Sequence, residues 1–346
     1  MSRRAYRALS EITTGFILVI IIIIIPYLPG AGAAEGDRSA DEPRRWSMSL
    51  SFENDAFSDT DELYTNGILI ALAHTGPSWL DNFADRLPGS QGRRTVGYDL
   101  TQIMMTPSDT DRSVPDPNDR PYAGVLILGL TLSLDQPTSS HRFKIIAGVV
   151  GPASMAEQSQ SAFHSLFGID KAQGWDYQLE NEPVLNLVYE YRHKFYLAGK
   201  PGGWAIEAIP SVGGWLGNLL TQGQIGGTLR MGFNIPDDYG PTMVRCMGHV
   251  PPPSNGDKPG TVYDWGFSIY GGGIANLVLR DITLDGNTFR DSPSVDKKFF
   301  VPAAGVGISI GSRKFLTSFT YFFWGKEFEG QEDYSKFGAI AFSWFF

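Results

Sequence analysis

Three short stretches of this 346-residue chain carry side chains whose type and spacing suit hydrolytic chemistry. In Phe52-Glu53-Asn54-Asp55 an apolar alternation gives way to an amide and a carboxylate in succession, and Tyr64-Thr65-Asn66-Gly67 follows after a short loop. A strand pair joined by that loop brings Asp55 and the Thr65 backbone to one rim, where a hard cation with oxygen ligands can sit between them. The same residue types also make ordinary turns. The second stretch lies in 152–182, too long a connection to lack structure of its own. There Ser154-Met155-Ala156-Glu157 reads as a capping box and Gly168 as a C-terminal stop, which predicts a helix over 155–167. Gln160 and His164 are four apart and share a face of that helix, and Asp170 follows it. A histidine with an amide and a carboxylate nearby can deprotonate water as a general base, although an isolated surface histidine is more often inert. Of the five histidines, His141 and His193 fall near strand ends, and His74 and His249 lack such a constellation. The third feature is Arg112, a loop cation able to meet an anionic group or simply to be solvated.

Several chemistries are disfavoured by what surrounds these residues. No Gly-x-Ser-x-Gly elbow points to a serine hydrolase of the α/β type. Cys246 is the only cysteine, so there is neither a zinc-ligand spacing nor an internal disulfide. A formal charge of −9 without a basic surface argues against nucleic acid as a partner. Aromatics at 13% and charged residues at 19% argue against disorder.

The elements that must position the candidate residues follow from periodicity. Only one apolar run approaches the roughly 20 residues of a membrane-spanning helix. It sits at the N-terminus behind Arg3, Arg4 and Arg7 and before Ala31-Gly32-Ala33, so residues 1–33 read as a cleaved export signal and 34–346 as the mature domain. Beyond it the chain alternates. Leu126, Leu128, Leu130, Leu132 and Leu134 share one face against Gly129, Thr131 and Ser133, and similar patterns recur around 185–192, 263–269 and 305–310. A soluble sandwich can alternate too, but aromatic clusters such as Tyr321-Phe322-Phe323-Trp324 suit an interfacial girdle, and the small or charged opposite faces suit a polar lumen. We read about twelve strands, near 46–53, 63–74, 94–104, 120–135, 141–151, 183–196, 204–214, 220–233, 261–275, 299–311, 314–325 and 335–346, closing an all-β transmembrane antiparallel β-barrel with a short helix in an extracellular loop. With both termini periplasmic, the connections holding Asp55, Arg112 and His164 face outward. The last strand presents Ile340, Phe342, Trp344 and Phe346 on one face, a pattern resembling the C-terminal assembly signal of bacterial outer-membrane barrels. That implies the barrel-assembly machinery as a partner, and we expect a monomer in the bacterial outer membrane.

Gly151-Pro152, Glu157, Gln160, His164, Gly168, Trp175, Gln178 and Asn181-Glu182, together with Asn54-Asp55, the Tyr64-Thr65-x-Gly67 turn and Gln102 to Pro107, resemble the lipid A 3′-O-deacylase family of outer-membrane enzymes. The resemblance spans the mature chain. It implies a twelve-stranded barrel with an outward-facing, calcium-dependent, phospholipase-A2-like site that hydrolyses the 3′-linked ester acyl groups of lipid A. By it, His164 would be the base, with Gln160 and Asn54 assisting. Asp55, Thr65 and Asp170 would bind Ca2+, and Arg112 would contact lipid A phosphate or sugar. Asp170 departs from the family pattern, which has Glu there. The competing readings are a passive porin or structural barrel and an outer-membrane phospholipase.

Overall fold

The computed structural model describes residues 45–55, 66–168, 170–200, 202–243, 251–253 and 265–346. The predicted signal 1–33, Thr65, Cys246 and His249 lie outside them. The chain divides into two compact units: Glu42–Glu157 with Ala172–Phe346 carries the barrel, and Gln158–Lys171, most of one helix, belongs to the other.

One antiparallel sheet is formed by β1 (Trp46–Asn54), β2 (Asn66–Thr75), β3 (Arg93–Met105), β4 (Ala123–Asp135), β5 (Ser139–Val150), β6 (Glu182–His193), β7 (Phe195–Gly199), β8 (Trp204–Gly217), β9 (Leu220–Phe233), β10 (Trp265–Asp281), β11 (Phe300–Ser312), β12 (Phe315–Trp324) and β13 (Ser335–Phe345). Pairing of β1 with β13 and of β6 with β8 closes it into a barrel, and the short β7 pairs with β8. The thirteen segments fill twelve wall positions, as the alternation predicts. β7 continues β6 along the same neighbour: Arg192 lies opposite Ser211 and Phe195 opposite Ala208 of β8. The break is at Lys194, whose amide donates to Thr138 O at 2.8 Å and whose ammonium lies over the Tyr239 ring. Helical turns are α1 (Asp81–Ala84), α2 (Ala156–Phe167) and α3 (Ile282–Asp285). No helix among the described residues is long and apolar enough to cross a membrane.

Leu128, Leu185, Leu187, Ile269, Val306, Ile308 and Ile310 are exposed on the outer wall, as the two-residue period predicts. Two expectations need correction. The run 321–324 is not a continuous girdle: Phe323 faces outward, whereas Phe322 and Trp324 are buried inside, where Phe322 stacks on Phe337 at 4.9 Å. Consecutive strand residues point to opposite faces, so a four-residue aromatic run must divide between lipid and lumen. The lumen is also only half polar. Toward the rim that carries the termini it holds paired charges: Lys144 with Asp99 at 2.8 Å, Arg192 and Arg142 with Glu190, and Arg230 with Glu207 at 2.7 Å and with Asp238. Toward the distal rim it holds an apolar core including Ile103, Val125, Ile127, Ile274, Val301 and Phe337. The long connection after β9 folds into the charged end, where Arg192 donates to Tyr239 O and Gly240 O at 3.1 Å each and Tyr239 OH donates to Gln136 O at 2.6 Å.

Candidate functional site

Asn54 ends β1 at the distal rim and Asp55 follows it in the first residue of the connection. The register places Asn54 opposite Asn66 of β2 and Gly338 of β13. Glu53, Asn54 and Asp55 are all buried, at 3%, 9% and 1% exposure. Two carboxylates and an amide held in succession out of water need compensation by donors or a cation, because burying charge alone is costly. Their oxygen-only chemistry fits a hard cation such as calcium better than zinc. Among the described residues there is no group of three or more His, Cys, Asp and Glu side chains arranged to hold a metal. A calcium site here would thus include amide, hydroxyl or backbone oxygens, as the proposed Thr65 would supply.

The start of α2 is fixed by its surroundings on the wall. Gly124 of β4 lacks the Cβ that would collide with Ser154 Oγ and Ala156 Cβ, so the chain can pass closely here. Gln102 Nε2 donates to Ser154 O at 2.6 Å. The predicted capping box takes a looser form: Ser154 Oγ accepts from the Ala156 amide at 3.4 Å, because a short 3-10 turn over Pro152–Ser154 and a left-handed Met155 (φ 58°) precede the helix. Next to Ser154, Met104, Tyr122, Ala156 and Trp175 form a small core, with Tyr122 and Trp175 rings 5.0 Å apart. Burial pushes the Tyr122 hydroxyl up to about 12.

Within Gln158–Lys171, Gln160 and His164 lie one turn apart on α2 and both are buried. Gly168 ends the helix at φ +67°, the left-handed stop its sequence position predicts. The chain then returns so that Asp170 O meets His164 Nδ1 at 2.5 Å. A backbone carbonyl can only accept, so Nδ1 carries the proton and Nε2 is left to exchange one. Asp170 thus contributes its backbone oxygen to the histidine, and its residue is exposed.

Arg112 is exposed in the β3–β4 connection and pairs with Asp116 at 3.2 Å. The Asn118 amide, more than Arg112 itself, holds the Asp116 carboxyl below its ordinary range. An exposed pair of this kind is worth little and exchanges readily for another anion.

Two ties between distal connections and one within the β5–β6 connection hold the distal rim. Arg120, fully buried, donates to Glu327 at 3.3 Å and to Thr283 Oγ1 on α3 at 3.4 Å. The Glu182 carboxylate accepts from the Thr288 amide at 2.7 Å and from Asn218 Nδ2 at 3.0 Å. Asn181 Oδ1 accepts from the Ala153 amide at 2.7 Å, closing the base of the loop that bears the helix. Asn181-Glu182 is therefore scaffold for the rim. Its partners lie up to 106 residues away, which local patterning cannot reveal.

A family model described as "Outer membrane protein LpxR" matches residues 16–346. Among solved structures, LpxR from Salmonella typhimurium is similar with a TM-score of 0.70 and 19% identity, covering 87% of this chain and 100% of that one. The β domain of the Bordetella autotransporter BrkA covers 87% of this chain and 98% of its own at 9% identity and a TM-score of 0.40. No curated protein matches the chain in sequence.

Proposed function

The chain belongs to the outer membrane protein LpxR family, and from that premise we propose that it is a lipid A deacylase of the outer membrane, hydrolysing the 3′-linked ester acyl or acyloxyacyl group with calcium. The distal rim faces the cell exterior in this reading, so lipid A in the outer leaflet meets the connections that carry Asn54, Arg112 and α2. The observation that supports it most within the chain is His164, with Nδ1 bound to Asp170 O and Nε2 available. Nε2 takes a proton from water as that water attacks the ester carbonyl, and the imidazolium returns a proton to the leaving sugar oxygen, so the products are a free fatty acid and a hydroxyl. Gln160 and Asn54 orient the water and the ester. Asp55, Thr65 and Asp170 would supply the oxygen donors for calcium, which when bound would stabilise negative charge on the carbonyl oxygen. Arg112 exchanges Asp116 for a lipid A phosphate.

A passive porin is disfavoured by the lumen, which among the described residues holds paired, buried charges at one end and an apolar core at the other. The reading is tested by fatty acid release from lipid A by purified protein. Release is expected with calcium and not in excess chelator, and His164→Ala is expected to be inactive while its heat-modifiable fold survives. Release that persists in chelator removes calcium from the mechanism. Unchanged release by His164→Ala removes the histidine.

A further inference from the structure

The connection 76–92 departs from the tight turn usual between barrel strands at the terminal rim. In β3 and β4 the register pairs Val96 with Leu132, Tyr98 with Leu130 and Leu100 with Leu128, so all six lie on one face. Tyr98, Leu100 and Leu128 are exposed, which identifies this face as the lipid side. Yet Val96, Leu132 and Leu134 are only 2%, 4% and 0% exposed. They are covered by Ala84 of α1, with Leu80 and Leu87 packed around them. The connection has therefore folded back up the outer wall. Gly89, at φ +84°, lets the chain cross His141, since a Cβ there would lie 2.7 Å from His141 Cδ2.

What the connection presents outward in place of those leucines is again apolar. Trp79 and Phe83 are 69% and 52% exposed. Trp79 Nε1 donates to Tyr98 OH at 3.3 Å, and Tyr98 stacks on His74, which itself lies 4.6 Å from the Trp46 ring. Trp79 thus extends an aromatic belt already on the lipid-facing wall. Arg94, outward on β3 opposite Leu134, is neutralised by the same connection through Asp85, Asp81 and Ser90 O. Amphipathic aromatics of this kind favour the boundary between headgroups and acyl chains.

We propose that residues 76–92 form a membrane-interface element that beds Trp79 and Phe83 in the phospholipid leaflet at the terminal rim. The inference is independent of the hydrolase reading. It is tested on full-length protein carrying Cys246→Ser, with a nitroxide attached at Phe83→Cys, in vesicles of phosphatidylethanolamine and phosphatidylglycerol. Leu128→Cys serves as the lipid reference and the exposed Glu332→Cys as the aqueous one. The label at 83 is expected to collide with oxygen and avoid a nickel chelate, as at 128. A profile like that at 332 overturns the proposal, as does shielding from both reagents, which would mean that a protein covers the patch. In unlabelled protein, Trp79→Phe is expected to reduce the tryptophan emission that brominated phospholipid quenches, and unchanged quenching overturns the proposal as well.

Discussion

At the scale of single residues, side chain and backbone divide the labour at His164. Its Nδ1 is held by the Asp170 carbonyl, which leaves Nε2 as the proposed base. Removing a general base costs about 10²–10⁴-fold in rate, so His164→Ala is expected to lose kcat by that order at every calcium concentration. Asp170→Asn keeps the backbone oxygen and hence the ring orientation. It is expected to retain kcat at saturating calcium and to need more calcium to reach it, and a loss of kcat independent of calcium would contradict the ligand role. Arg112→Ala is expected to raise KM with kcat unchanged, since it removes binding shared by ground state and transition state. The local geometry of several candidate residues was legible in sequence. The four-residue spacing on a predicted helix singles out Gln160 and His164, and the break in alternation at Asn54-Asp55 marks the strand end. The role of the Asp170 carbonyl was not legible, because every residue carries one.

At the scale of elements, the described residues of the β3–β4 connection pack tightly against those around Trp175. Gly174 shows how tight this packing is: a Cβ there would lie 2.5 Å from Tyr122 Cε2 and 2.9 Å from Pro115 Cγ. Gly174→Ala is expected to displace Tyr122 from Trp175, to destabilise the fold by about 1–3 kcal/mol and to lower deacylation. A melting curve and activity unchanged from wild type would contradict that packing. Tyr122 also predicts a pH dependence. Its folded value, near 12, exceeds the ordinary tyrosine value of 10.0, so the folded state keeps a proton that the unfolded state releases, and stability falls as pH rises from about 10 to about 12. Tyr122→Phe is expected to flatten that part of the difference in melting temperature. Arg120→Met leaves Glu327 buried without its guanidinium, a change that typically costs about 3–5 kcal/mol, and Arg120→Met with Glu327→Gln is expected to recover part of the loss. The sequence marks where these connections begin and end. It is silent on Arg120 and Glu327, which meet across 207 residues.

At the scale of the whole molecule, the wall was the most legible part. Strand positions agree with the alternation to within a few residues, except that β10 runs on to Asp281. The interior was less legible: once inward positions near the distal rim are themselves apolar, the two faces of a strand look alike in sequence, and Phe322 and Trp324 read as lipid-facing when they are core. The paired charges and apolar core that the described residues place in the lumen predict no steady current through protein in a planar bilayer. Arg230→Ala, which removes the guanidinium that Glu207 and Asp238 share, is expected to introduce intermittent current by loosening the folded-in connection. The most direct test of the central claim is mass spectrometry of lipid A from outer membranes that contain the wild-type protein or its His164→Ala variant. The 3′ acyl or acyloxyacyl mass is expected to be lost only with the wild type, and lipid A identical in the two membranes, with both proteins folded, would contradict the deacylase assignment.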